Sequence, residues 1–158
     1  MIENVKRYRA HTSHGRDVSK MLCVLYVLTA LGMLLPYLKY GVWLLPLVFL
    51  LTEKESDFAL FMDAQLFSLA AIHGAAAFVL EVPVRLAIRM MNHSLAFGWV
   101  LAGDFAGLVT SILTAFISLT SAILALMAAS RALRYVESHI ILAGSFAERI
   151  VALPRFRD

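Results

Sequence analysis

Residues 105–130 read FAGLVTSILTAFISLTSAILALMAAS, an apolar stretch of 26 residues that contains no ionisable side chain. Arg131 and Arg134 follow close behind it. As an α-helix, a stretch of this length measures about 39 Å, which is enough to cross a hydrocarbon layer about 30 Å thick. The stretch therefore predicts a transmembrane helix, and an integral membrane protein is the expected class.

The composition of the whole chain agrees with this class. Hydrophobic residues make up 61% of the 158 positions and charged residues only 16%, a balance that is unusual for a soluble domain. The net charge is +3, but the basic residues flank the apolar runs. At such positions lysine and arginine contact anionic headgroups and fix the orientation of the chain. We therefore expect the partner of these charges to be the lipid bilayer and not nucleic acid.

Small residues recur every three or four positions along the same stretch and predict a face for close helix packing. The face begins with a Gly-x-x-x-Gly pair and consists of Gly103, Gly107, Ser111, Thr114, Ser118, Ser121, Ala125 and Ala128. In lipid, helices associate where small side chains let the backbones approach and where hydroxyl groups bond between helices. The neighbour on this face is either another segment of the chain or a helix of another subunit.

Two apolar segments precede the polar turn at residues 53–57. Residues 21–38 form the first, and residues 40–52 form a second, interrupted arm. A single helix across both would place Lys39 near the middle of the membrane, where a charge is costly. The sequence therefore predicts a helical hairpin whose second arm is short, bent or re-entrant, and it leaves open whether that arm spans.

A further apolar segment covers residues 58–80, and Ser56 or Asp57 before it is a good N-cap. With residues 105–130, it completes an expected all-α, four-segment membrane bundle. A second small-residue face, expected to pack against the first, consists of Ala64, Ser68, Ala71 and Ala75.

Three ionisable residues lie in or beside the membrane segments. Asp63 and His73 are inside residues 58–80, and Asp104 immediately precedes residues 105–130. Intramembrane ionisable groups are functional candidates, and together the three could line a polar path. The alternative for Asp63 and His73 is a structural role, because one acid near a helix end and one neutral histidine do not make a proton relay.

Residues 83–93 combine charged and apolar side chains, unlike the apolar segment before them, and predict an amphipathic helix in the membrane interface. Pro83 suits the first turn of such a helix, and Glu81 and Arg85 are spaced to form an ion pair. The sequence does not decide whether residues 94–104 dip into the membrane or extend the last membrane helix.

The two ends of the chain flank a membrane domain at residues 21–130. Residues 1–20 form a basic tail, in which His11 and His14 are interpreted as solvated because no third metal ligand is near. Residues 131–158 predict an amphipathic segment that is interrupted or bent near Gly144 and ends at Pro154.

The basic residues predict the orientation. If four segments cross the membrane, eleven of the fourteen basic residues lie on one side: five in the N-terminal tail, one in the 53–57 turn and five after residue 130. Lys39, Arg85 and Arg89 lie on the other side. The positive-inside rule then places both termini in the cytoplasm.

No recognised catalytic motif occurs in the chain. It lacks a Gly-rich phosphate loop, a His-Glu-x-x-His metal motif and a Ser/His/Asp set. Cys23 is the only cysteine, so neither a disulfide framework nor a cysteine-based metal site is expected. We expect a non-enzymatic protein without catalytic residues, cofactor or metal.

Residues 44–70, LLPLVFLLTEKESDFALFMDAQLFSLA, combine a short apolar arm, a Lys/Glu-rich turn with Glu-Ser, and a helix start with an acid and alanines. This region resembles the uncharacterised small bacterial membrane proteins related to the chloroplast inner-envelope translocon channel component. That family usually has proline after the serine and a histidine a few residues on, where this chain has Asp57 and Met62; Gln65 matches better. The resemblance implies a four-segment membrane domain with a role in protein translocation or membrane-complex assembly.

Two functions follow from these observations. The first is a bacterial inner-membrane subunit or assembly protein that contacts a larger complex, or copies of itself, through its helices. The second is a small transporter or channel component with a polar path near Asp63, His73 and Asp104.

Overall fold

The computed structural model of the protein describes residues 17–53, 56–93, 97–134, 140 and 143–152. Within them the chain is helical, as predicted, and forms five helices: α1 (Val18–Leu34), α2 (Leu44–Thr52), α3 (Asp57–His93), α4 (Phe97–Ala132) and α5 (Ala143–Val151). The predicted basic tail, with His11 and His14, lies almost entirely outside the described residues.

Two helices have the length and apolar character needed to cross a membrane, over Asp57–Met90 in α3 and Gly103–Ala132 in α4. The apolar α1 is shorter, at 17 residues. With nine residues, α2 measures only about 14 Å and cannot cross a bilayer by itself. The predicted second arm is therefore short, as expected.

Contacts between the helices fix their directions. Tyr26 of α1 donates a hydrogen bond to the carbonyl of Met62, and Lys39, just after α1, pairs with Glu81. From Tyr26 to Lys39 the contact moves from Met62 to Glu81, in the same direction along α3, so α1 and α3 run parallel. His73 of α3 bonds Ser118 of α4, whereas residues later in α3 contact earlier residues of α4, so these two helices are antiparallel.

The parallel arrangement of α1 and α3 decides the path of the chain between them. Residues 35–56 must return from the end of α1 to the start of α3, and they do so through a run of turns at 35–43 followed by α2. Since α4 then runs back along α3, the start of α1 and the end of α4 lie at the same end of the bundle.

The core joins large side chains of α1 and α3 to alanines of α4. Tyr26 and Met33 of α1 and Met62 of α3 are fully buried. The alanines that face them on α4 are Ala122, Ala125, Ala128, Ala129 and Ala132. Because alanine has the smallest apolar side chain, α1 can lie close to this part of α4.

One sequence prediction is wrong in the fold. Residues 83–93 are not a separate interfacial helix but the continuation of α3, which passes through Pro83 without ending. Proline removes one backbone hydrogen bond, but packing can override such a loss. Here the Ile88 side chain lies over Gly103 and Gly107, where a Cβ atom would be 3.5 Å and 3.2 Å from it, so this part of α3 packs closely on α4.

The remaining boundaries resolve questions that the sequence left open. Because α4 begins at Phe97, residues 97–104 extend the helix that was predicted as the last membrane segment. Ser56 caps α3 as predicted, accepting a hydrogen bond from the Ala59 amide at 3.3 Å.

Helix α5 packs on α3, where Ala147 joins Leu50, Leu60 and Ala64.

Candidate functional site

A cluster of charged side chains joins the turns after α1 to α3. The Glu81 carboxylate accepts hydrogen bonds from the Lys39 ammonium and the Tyr40 hydroxyl, and from Arg85 at 2.9 Å. The Glu81–Arg85 pair was expected from the sequence, and the structure confirms it. We call Lys39, Tyr40, Glu81 and Arg85 the Glu81 cluster.

A glycine of α3 allows this cluster to form. A Cβ atom at Gly74 would lie 3.4 Å from the carbonyl oxygen of Lys39 and 3.5 Å from that of Tyr40. The turns therefore rest directly on the α3 backbone. Trp43 steadies them, because its indole N–H donates to the Tyr40 carbonyl at 2.8 Å.

The cluster carries more positive than negative charge. Two cations, Lys39 and Arg85, share the single carboxylate of Glu81, which leaves one positive charge in excess. The Lys39 side chain is 9% exposed, but that of Arg85 is 67% exposed and can reach a further anion. Burial, and the hydrogen bond to Glu81, raise the pKa of Tyr40, so its hydroxyl remains a donor at neutral pH.

An apolar groove of about 430 Å³ adjoins the cluster. Ala71, Gly74 and Ala75 of α3 form its floor, and aromatic side chains stand around it, with Trp43 and Phe67 in edge-to-face contact at 6.2 Å. The groove's lining residues are Tyr40, Trp43, Phe67, Ala71, Gly74, Ala75, Phe78 and Val79. We call this space the Tyr40 groove.

A second polar position lies near the start of α3. Asp63 is completely buried, and neither of its carboxylate oxygens has a hydrogen-bond partner among the described residues. The Glu53 carboxylate, itself 3% exposed, acts electrostatically on the Asp63 carboxyl group. An unpaired polar group in the core costs free energy, so Asp63 is not explained by packing alone.

The buried Gln65 also lacks a partner for its amide among the described residues. His73, by contrast, has a defined role between helices, because its Nε2 atom lies 3.0 Å from the Ser118 hydroxyl. This contact joins the middle of α3 to the middle of α4.

The predicted small-residue face of α4 lies largely inside the bundle. Gly103, Thr114, Ser118, Ser121, Ala125 and Ala128 are buried, Gly107 is half-buried and Ser111 is exposed. The neighbours are α3, through Ile88 and His73, and α1, through the alanines at the end of the face. The structure thus places this face against segments of the same chain.

The two small-residue faces were expected to pack against each other, but they do not. Ala64 contacts Leu50 and Ala147, while Ala71 and Ala75 line the Tyr40 groove. Ser68 bonds the Ala64 carbonyl in its own helix. Small side chains mark where a backbone can approach but do not specify its partner, and here α2, α5 and the turns take the place expected for α4.

The three ionisable residues proposed to line a path are not brought together. Asp63 and His73 are ten residues apart on α3, about 15 Å along the helix axis. Asp104 is exposed on α4, in the region that faces Ile88. Each therefore belongs to a different level of the bundle.

Sequence reasoning missed the Lys39–Glu81 pair. The available signal was that each residue ends an apolar run, which predicts that both occupy the same kind of boundary, where opposite charges can meet. Among the described residues, no group of three or more His, Cys, Asp or Glu side chains could hold a metal ion.

No protein-family model, curated protein or solved structure matches the chain.

Proposed function

We propose that the protein is a non-enzymatic integral protein of a bacterial inner membrane, with both termini cytoplasmic, that acts through helix–helix contacts with a larger membrane complex. Its exposed apolar surface supports the membrane assignment. On α4, large side chains face outward along most of its length: Ile112, Phe116, Leu119, Ile123 and Leu126 are 46–69% exposed. A surface of this kind is stable in lipid but not in water.

The α3–α4 hairpin supports the choice of a complex subunit. Charges are costly in hydrocarbon, so the Glu81 cluster marks one edge of the membrane. Glu81 lies eight residues beyond His73, which bonds Ser118, so the same level on the antiparallel α4 is near Thr110. The residues of α3 after Glu81 and those of α4 before Thr110 project past this edge, and we call them the hairpin extension.

The hairpin extension exposes large apolar side chains where the proposed hydrocarbon layer has ended. Leu86 is 53% exposed, Met90 75% and Phe105 70%. Apolar groups grouped on an exposed helical pair are typical of contact sites for another protein. This is the observation that carries the proposal. The resemblance of residues 44–70 makes protein translocation the first kind of complex to test.

Two phenylalanines of α4 provide a matched experiment. Phe105 and Phe116 are 70% and 69% exposed, and eleven residues of helix separate them, so they point within about 20° of each other. Only Phe105 lies in the hairpin extension. Replacing Phe105 and Met90 by alanine is expected to abolish co-purification of a stoichiometric partner in mild detergent, while Phe116→Ala retains it. Equal retention by both variants would contradict the proposal.

Asp63 supports a second function, a small transporter or channel component. Its buried carboxyl has no hydrogen-bond partner among the described residues, and an ionisable group at such a position is a functional candidate. His73 and Asp104 stand apart from it, so this proposal rests on Asp63. A lone homo-oligomer that conducts in vesicles, and loses conduction with Asp63→Asn, would favour it over the first.

A further inference from the structure

The Tyr40 groove and the Glu81 cluster form one continuous surface on α3. Arg85 follows Phe78 by seven residues and Arg89 follows it by eleven, so both arginines point within about 20° of the phenylalanine. Along the helix axis, Arg85 is about 10 Å beyond Phe78. The face of α3 that carries Phe78 at the end of the groove therefore continues to two exposed arginines.

We propose that this surface binds one anionic phospholipid, with an acyl chain in the Tyr40 groove and the phosphate at Arg85 and Arg89. The distance between the groove and Arg85 is one that a glycerol backbone and the first methylene groups can cover. Guanidinium groups bind phosphate oxygens through paired hydrogen bonds. Tyr40 and Trp43 stand at the height of the headgroups, where amphipathic rings are favoured.

Charge distinguishes this surface from a second groove of similar size. That groove has a volume of about 390 Å³ and lies between α1 and α2. Its charged residues, Asp17 and Lys20, form an ion pair at 3.8 Å and cancel one another. The Glu81 cluster instead retains an excess positive charge, and Arg89 adds another. Of these two grooves, the Tyr40 groove is therefore the one that selects an anionic lipid.

The short α2 explains why the groove is open to lipid. Helix α2 has only nine residues and does not cover the small side chains of α3 at Ala71 and Ala75. A flexible acyl chain can fill such a shallow channel. The charged end of the lipid then completes the coordination of Arg85, whose side chain is bonded to Glu81 on one side and open on the other.

Trp43 reports directly on the groove. The chain has two tryptophans, so Trp99→Phe leaves Trp43 as the only indole. The full-length variant is placed in phosphatidylcholine vesicles, and either phosphatidylglycerol or phosphatidylcholine with brominated acyl chains is titrated in, because bromine quenches an adjacent indole. We expect phosphatidylglycerol to quench Trp43 at a lower mole fraction. Arg85→Gln is expected to reduce that preference about fivefold, and Arg85→Lys to retain most of it.

A groove-filling variant tests the acyl-chain site separately. Ala75→Leu occupies the floor of the groove and is expected to reduce quenching by both lipids, whereas Ala115→Leu, at an exposed alanine of α4, leaves it unchanged. Circular dichroism and thermal melting confirm that each variant is folded. Equal quenching by the two brominated lipids would refute selection of an anionic headgroup. If neither lipid quenches Trp43, the groove is covered by polypeptide. That outcome also overturns the proposal.

Discussion

Lys39 and Glu81 form an ion pair between residues 42 positions apart, and both side chains are more than nine-tenths buried. Lys39 lies in the turns that follow α1, while Glu81 belongs to α3. The pair therefore fixes the end of the first helix against the third. A buried pair is not strongly stabilising relative to apolar residues, but losing one partner leaves an uncompensated charge.

Replacing Lys39 by methionine should therefore destabilise the protein by about 3 kcal/mol, since Arg85 compensates Glu81 only in part. The double variant Lys39→Met/Glu81→Met should recover much of this loss, because no buried charge is then left without a partner and Arg85 is exposed. Thermal unfolding in mild detergent measures both effects.

Lys20→Met is the matched control for that experiment. Lys20 is 81% exposed and pairs with Asp17 at 3.8 Å, a surface contact of small value. If Lys39→Met is no more harmful than Lys20→Met, the buried pair does not hold the turns in place.

The sequence predicted which side of α4 would be covered but not the covering segment. Periodicity separates small from large side chains on a helix, so Leu108 and Phe116 are exposed as expected. The identity of the neighbour depends on chain path. Gly74 admits the turns after α1, and this contact brings the second small-residue face against them instead of α4.

Local signals also failed at Pro83. A proline after an apolar run is ordinarily a good place to begin a new helix, yet α3 continues because Ile88, five residues later, packs on α4. The Lys39–Glu81 pair was missed for a related reason. Its partners meet only once α1 and α3 are parallel, and no local pattern states that direction.

The contact between His73 and Ser118 predicts a modest, specific loss. Ser118→Ala removes the hydroxyl that lies 3.0 Å from the His73 ring, and a hydrogen bond between membrane helices is worth about 0.6 kcal/mol on average. We expect a small decrease in thermal stability. Ser111→Ala is the control, because Ser111 is exposed and its hydroxyl bonds the Gly107 carbonyl of its own helix. Equal melting of the two variants would show that the interhelical bond contributes nothing.

The topology predicts that both termini lie on the same side of the membrane. Helices α1 and α3 are parallel and α4 is antiparallel to them, and eleven of fourteen basic residues then lie on the cytoplasmic side. Reporter fusions at Met1 and Asp158 should therefore both report a cytoplasmic position. A periplasmic report from one of them would mean that residues 35–56 do not recross the membrane.

Asp63 predicts opposite outcomes for stability and activity. Because its carboxyl is buried without a hydrogen-bond partner among the described residues, Asp63→Leu should not destabilise the protein and can raise its melting temperature. Asp63→Asn should abolish conduction if the protein transports an ion or proton. A marked loss of stability in Asp63→Leu would instead indicate that the carboxyl has a structural partner in the membrane.

The hairpin extension provides the most direct test of close helix packing. A Cβ atom at Gly107 would lie 3.2 Å from the Cδ1 atom of Ile88, so a branched side chain at this position requires Ile88 to move. Gly107→Leu should therefore force α3 and α4 apart beyond the Glu81 cluster, with a cost of about 1–3 kcal/mol from overpacking. Insertion into the membrane should persist, since residue 107 lies beyond the proposed hydrocarbon layer and the substitution adds no charge.

The compensating change decides whether Ile88 is the cause. Ile88→Ala removes the side chain that meets residue 107, so the double variant Gly107→Leu/Ile88→Ala should be more stable than the sum of the single effects predicts. Leu108→Ile changes side-chain shape at an adjacent, 59% exposed position and should have little effect. Protease sensitivity of the hairpin and thermal melting give the readouts. If the two substitutions are strictly additive, the neighbour of Gly107 is not α3, and a helix of another subunit must be sought on this face.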